Sequence, residues 1–199
     1  MSKIETILFS LLIVLSMFLR FSDLGFSHFY GDEAKALYLR KDVSAQDFLL
    51  NQRKGPVQFV VAWTMEKFTG GFSQSTTRMP FALAGVLSVI VFYFLVRSLF
   101  DYKTALYSGY LFSLSGFNIA FSRTVQYQSF LILFGLLSLY LMLVFYQKRK
   151  IAFLLLSAVC TGLAFLSHYD AVFFLVPTVF LLILHVKDTK KYWHIALFS

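Results

Sequence analysis

The chain has 199 residues, of which 58% are hydrophobic and 14% charged, with a formal net charge of +8 and a mean hydropathy of +0.71. Soluble domains average about 45–50% apolar and about 25% charged residues, so a surplus that includes 25 Phe exceeds what a globule of this size can bury. Composition therefore excludes a soluble protein, and because the basic residues sit in short clusters between apolar runs, it argues against nucleic-acid binding as well.

The expected fold is all-α: a polytopic helical membrane protein with six spans and the start of a seventh. Residues 4–21 are apolar apart from Glu5 and Arg20. No small-x-small cleavage site follows them, so they predict an uncleaved first span. Residues 22–78 form a long outer loop that holds most of the ten acidic residues. Two short amphipathic helices are expected within it. One begins near Asp32 and runs through Ala36 and Leu37. The other opens at Pro56, a residue suited to a first helical position, and ends at Gly70-Gly71. Trp63 suits that second helix to the membrane interface.

Uncharged runs then predict spans over 79–97, 104–122, 126–147, 151–168 and 171–186. Ser75, Thr76 and Thr77 are candidate caps for the first of these, with Pro80 in its first turn. A further run begins at 192 and is still apolar at 199. The chain is therefore expected to be the truncated part of a longer protein, or a split protein that works with a partner subunit. The lone Cys160 allows no intramolecular disulfide and reads as a packing residue.

Short-loop charge sets the orientation. Arg97 with Lys103, Lys148-Arg149-Lys150, and Lys187 with Lys190 and Lys191 fall on the same side as Lys3. This predicts a cytoplasmic N-terminus in a prokaryotic plasma membrane, with the long loop, Arg123 and His168-Tyr169-Asp170 outside.

Three polar clusters thus meet at the outer face, where desolvating ionisable groups is costly. Asp32 and Glu33 either charge the first turn of a surface helix, where the dipole favours anions, or supply a catalytic carboxylate. Lys54 precedes the helix start at Pro56-Val57. There it is an ordinary loop lysine or, with the helix start, a holder for a phosphate. Arg123 either grips phosphate in bidentate fashion or anchors a helix end. Gln126 and Gln128 flank it. Asp170 reads first as a helix-end cap, and His168 as a candidate substrate contact. Neither His28 nor His168 lies in an HxxxH or HExxH pattern, and no glycine-rich nucleotide loop is present. No cofactor is indicated, although a divalent metal is compatible with the sequence.

The order of these features resembles a known family. A first span, an outer loop with Asp32-Glu33 near its start, Lys54-Gly55-Pro56 opening an interfacial helix, Arg78-Met79-Pro80 entering the next span, and the Arg123-led, Gln- and Tyr-rich turn together look like the N-terminal part of the GT-C glycosyltransferases. The branch most resembled contains the protein O-mannosyltransferases and the lipid A aminoarabinose transferases. The resemblance implies transfer of a sugar from a polyprenyl-phosphate donor to a lipid, glycan or protein acceptor outside the membrane, with inversion at the anomeric carbon. It implies Asp32 as general base with Glu33 in support, and Lys54 and Arg123 as donor-phosphate contacts. Gln126, Gln128, His168 and Asp170 are candidate substrate contacts. The turn 124–128 carries no acidic residue where many relatives have one, so no second carboxylate is expected from it. The competing readings are a transporter module and a non-catalytic membrane subunit. Polar groups gathered at one face, with spans nearly free of charge at their centres, favour chemistry on a lipid-borne substrate over transport.

Overall fold

A computed structural model describes residues 2–37, 44–50, 54–189, 195 and 198. Among these, every regular element is helical. Helix α1 (Lys3–Phe21) starts with a reciprocal capping box between Ser2 and Glu5. Two short helices follow in the long first loop, α2 (Asp32–Leu37) and α3 (Ala45–Leu50). Helix α3 is a third loop helix beyond the two expected; the hydroxyl of Ser44 accepts the Asp47 amide at its start. Helix α4 (Val57–Thr69) begins after Pro56 and closes on Gly70, whose φ of 75° lies in the left-handed region that glycine tolerates. The remaining helices are α5 (Gln74–Leu99), α6 (Tyr102–Leu114), α7 (Gly116–Ser122), α8 (Gln128–Lys148), α9 (Ile151–Ser167) and α10 (Val172–Thr189). A 3₁₀ turn (Tyr169–Ala171) joins the last two.

Helix α8 is central, packing on α5, α9 and α10, while α1 lies against α5 and α6. The α8–α9 seam carries hydroxyls in place of large side chains: Ser138 meets Thr161 at 2.6 Å, and Ser157 donates to the Ser138 carbonyl at 2.8 Å. Small polar residues let membrane helices approach closely while satisfying one another.

Helix α1 shows how the solvent shapes the fold. Ile4, Ile7, Leu11, Val14 and Phe18, spaced three and four apart, are all exposed. Glu5, Ser16 and Arg20 are buried on its other side with Leu12. Only lipid makes this inside-out pattern favourable, because it removes the cost of exposing apolar side chains. Helix α10 repeats it with Val172, Phe173, Val176, Phe180 and Ile183. Four helical stretches among the described residues are long and apolar enough to cross a membrane: Lys3–Phe21, Gln74–Leu99, Gln128–Lys148 and Tyr169–Lys187. Helix α9 is apolar and shorter. The run expected from 192 lies almost wholly outside the described residues.

Three expectations about the elements need correction. The continuous helix expected over 104–122 is broken at Ser115, whose φ of −59° and ψ of 116° take it out of the helical region. Ser115-Gly116 is a weak helix-forming pair, and such pairs are recurrent sites of sharp kinks. The carbonyl of Ser113 freed at the break accepts from Arg20 Nη1 at 3.4 Å, and Nη1 also bonds Ser16 Oγ at 3.0 Å. Helix α5 begins five residues earlier than expected, capped by Ser73 rather than by Ser75–Thr77. Pro80 therefore lies inside the helix, where it cannot donate to the carbonyl one turn back. That earlier start makes Arg78 part of the helix. Trp63 is not simply an interface anchor: its ring lies 5.9 Å from Phe48 and 6.2 Å from Phe59, and its indole nitrogen is buried.

The contact between α1, α5 and α7 depends on Gly85, where an added Cβ would lie 2.5 Å from the Ser122 Cβ and 2.9 Å from Arg20 Nε. We expect Gly85→Ala to lower the unfolding temperature in detergent, at a cost of about 1–3 kcal/mol. Gly162→Ala, with nothing within 4 Å of its added methyl, is expected to leave it unchanged or slightly raised.

Candidate functional site

Asp32 and Glu33 open α2 side by side, yet they face opposite environments, because successive helical residues point about 100° apart. Glu33 turns into the protein. Its carboxylate accepts from Arg78 Nε at 2.9 Å and Arg78 Nη2 at 2.8 Å, a bidentate pair. The Val125 amide adds a third bond at 2.8 Å. Arg78 is fully buried and has an acceptor for each of its five N–H groups. Besides Glu33 these are the carbonyls of Leu24 at 2.8 Å, Ser27 at 3.1 Å and His28 at 3.4 Å. Phe26 and Phe29 cover it at 5.0 and 5.4 Å. One guanidinium thus gathers the 24–33 loop, α5 and the turn before α8.

Asp32 turns outward and is half exposed. Gly31 before it has a φ of 54°, which places the turn in the left-handed region and requires glycine. The Asp32 carboxylate accepts from Lys54 Nζ at 2.8 Å, and Lys35 approaches it at 4.0 Å from its own helix. The hydrogen bond and charge of Lys54 hold its carboxyl below the ordinary aspartate value of 3.8.

Lys54 is fixed from behind. The Gly55 amide donates to the Ser167 carbonyl at 3.1 Å, and an added Cβ on Gly55 would meet the Leu166 carbonyl oxygen at 1.9 Å. Only glycine lets the loop lie this close to the end of α9. Lys54 Nζ stands 5.8 Å from the centre of the Tyr127 ring. Tyr127 stacks on His168 with ring centres 4.0 Å apart, and His168 contacts Tyr169 at 3.9 Å. Burial and the charge of Asp170 raise the Tyr127 hydroxyl above the usual tyrosine range, with Asp32 contributing. His168 Nδ1 lies 3.2 Å from the Asp170 amide and 3.0 Å from its carboxylate. It accepts from the first when bare and donates to the second when protonated. The cap of this turn is therefore His168, not Asp170 as expected, because the turn is a single 3₁₀ winding whose amide reaches back only two residues.

The structure brings Asp32, Lys54, His168 and Asp170 into one patch, with Tyr127 as the link that the sequence did not single out. Arg123 lies apart from it. Its Nη1 donates to the Leu19 carbonyl at 3.0 Å and Nη2 to Asp23 at 3.2 Å, while Phe26 lies between it and Arg78, 5.3 Å from Arg123. Among the described residues no contact joins it to Lys54 or Asp32. Gln126 lines a separate groove of about 310 Å³ with Ser27, Tyr30, Glu33, Ala120, Phe121 and Thr124. The Gln128 side-chain oxygen is buried without a protein partner. Arg20, in sequence only an interruption of the first span, is buried at its end. Its Nε and Nη2 are likewise buried without partners beside a small cavity. No group of three His, Cys, Asp or Glu capable of holding a metal ion occurs among the described residues.

Helices coated in apolar side chains, four of them with stretches long and apolar enough to cross a membrane among the described residues, define an integral membrane protein. A profile of the dolichyl-phosphate-mannose-protein mannosyltransferase family matches residues 53–199, and the chain belongs to that family. It is a membrane glycosyltransferase of the GT-C type. Comparisons with curated proteins and with solved structures return no match.

Glu33 and Asp32 should separate by mutation. Glu33→Gln leaves the buried Arg78 charge uncompensated and is expected to cost about 3–5 kcal/mol, read as loss of the folded protein in detergent. Asp32→Asn at the half-exposed neighbour is expected to leave thermal stability nearly unchanged.

Proposed function

We propose that the chain is the donor-binding and catalytic part of a transferase that moves a sugar from a polyprenyl-phosphate carrier to an acceptor hydroxyl on the outer side of the membrane. The observation that carries this reading is the Asp32–Lys54 pair, a carboxylate and an ammonium 2.8 Å apart at the end of a membrane bundle. Asp32 takes the proton of the acceptor hydroxyl as its oxygen attacks the anomeric carbon. The bond from that carbon to the phosphate oxygen breaks, configuration inverts, and the carrier leaves as polyprenyl phosphate. Lys54 offsets the charge that grows on the leaving phosphate.

Glu33 acts in support by fixing the helix that presents Asp32. His168, Asp170, Gln126 and Gln128 are the substrate contacts of this reading, and Arg123 is a second donor contact once released from its carbonyls. The family's name favours mannose carried on a dolichyl-type lipid and a protein acceptor. The proposed orientation has the N-terminus in the cytoplasm of a prokaryotic cell and the site outside.

The test is sugar transfer from a polyprenyl-phosphate donor by membranes carrying the chain, alone and extended by whatever follows Ser199. Asp32→Asn is expected to lower transfer at least a hundredfold at equal expression. Full activity of that variant would remove Asp32 as base. Because Lys54 lowers the Asp32 pKa, the base is charged above that lowered value, and kcat/KM falls only as pH drops through it. Lys54→Gln is expected to move this acid limb upward, measured as the pH profile of kcat/KM.

A further inference from the structure

Resting on the reading above, we propose that the phosphodiester of the donor and the carboxylate of Asp32 compete for the one ammonium of Lys54, so that donor binding itself frees the base. In the unliganded protein the ammonium is already taken, with Nζ 2.8 Å from Asp32 Oδ2. Among the described residues, three groups face Asp32. Lys35 comes from its own helix, Lys54 from the loop before α4 and Tyr127 from the start of α8. Glu33 turns inward to Arg78.

Among the described residues, Lys54 is the cation in close contact with Asp32. Arg78 has all five donors engaged. Arg123 has its Nη atoms on the Leu19 and Asp23 carbonyls, and Lys35 lies 4.0 Å away on an exposed side chain. The backbone that carries Lys54 is held, because Gly55 is pressed against the end of α9, so the ammonium shifts between its anions through its side chain alone. Two anions sharing one ammonium repel each other, more strongly as the site dries.

The order of events follows. Free enzyme holds its base in an ion pair, with low basicity and an occupied Oδ2. Arrival of the phosphodiester draws Lys54 away, and Asp32 becomes available and more basic just when an acceptor can react. Donor affinity and Asp32 protonation are then linked. A phosphodiester keeps its single charge across the carboxylate range, so affinity rises as pH falls through the Asp32 titration.

The experiment measures binding of farnesyl methyl phosphate, an isoprenoid phosphodiester without sugar, to the chain in detergent, with farnesol as the uncharged control. The wild type is expected to bind more tightly as pH falls. Asp32→Asn is expected to bind about fivefold tighter than wild type at neutral pH, with that pH dependence removed, even as it abolishes transfer. Lys54→Gln is expected to lose the preference for the phosphodiester over farnesol, and adding Asp32→Asn to it to restore nothing. Equal or weaker binding by Asp32→Asn, or an unchanged pH slope, overturns the competition while leaving Lys54 as the phosphate contact. A phosphodiester preference that survives Lys54→Gln, or none in any form, overturns the phosphate assignment itself and the competition with it.

Discussion

The arrangement depends on the buried pair between Glu33 and Arg78. Removing both charges from water costs several kcal/mol each, and only the bidentate geometry and the added carbonyl and amide bonds offset this. The result is less a gain in stability than a constraint on shape. A guanidinium with five fixed acceptors admits one arrangement of the chain around it. Since those acceptors lie on residues 24–33, the long first loop is fastened to α5 at its root. Asp32 inherits its position from this, being the next residue along a helix whose inner side is already committed.

The second constraint is the close approach at Gly55. It fastens the loop that carries Lys54 to the end of α9, while Tyr127 and His168 close the gap between that loop and the α8 and α9–α10 turns. The patch is therefore assembled from four parts of the chain that are distant in sequence and meet at one end of the bundle. Its floor is aromatic and its exposed edge is ionic. That combination suits a substrate with a charged phosphate and a sugar ring better than it suits a pore, which would place its polar groups along the spans.

Much of the architecture was legible beforehand. Helix starts near Asp32 and Pro56 and the stop at Gly70 follow from local chemistry that acts within a turn, so the sequence shows them. The break at Ser115 was harder to read, because Ser115-Gly116 only weakens a helix and the outcome rests on Arg20 arriving from α1 to take a freed carbonyl. The capping of α5 was misread for a similar reason: Ser73, Ser75, Thr76 and Thr77 are all competent caps, and the packing of Arg78 on Glu33 accompanies the earliest of them. The candidate site divides along the same line. Asp32 and Lys54 could be named from their neighbours in sequence, whereas their 2.8 Å contact, the Tyr127–His168 stack and the engagement of Arg123 with α1 could not.

The sequence by itself determined that this protein is an all-helical membrane protein and which family it resembles. Those conclusions rest on composition, on the length of apolar runs and on the order of short motifs, all of which are properties of neighbouring residues. The tertiary structure decided what the charged residues do. It set Glu33 inside and Asp32 outside, gave Arg78 five acceptors, and kept Arg123 away from Lys54. Such assignments depend on which distant groups share a desolvated space, and electrostatic energies there turn on contacts of a few ångströms that no linear pattern encodes.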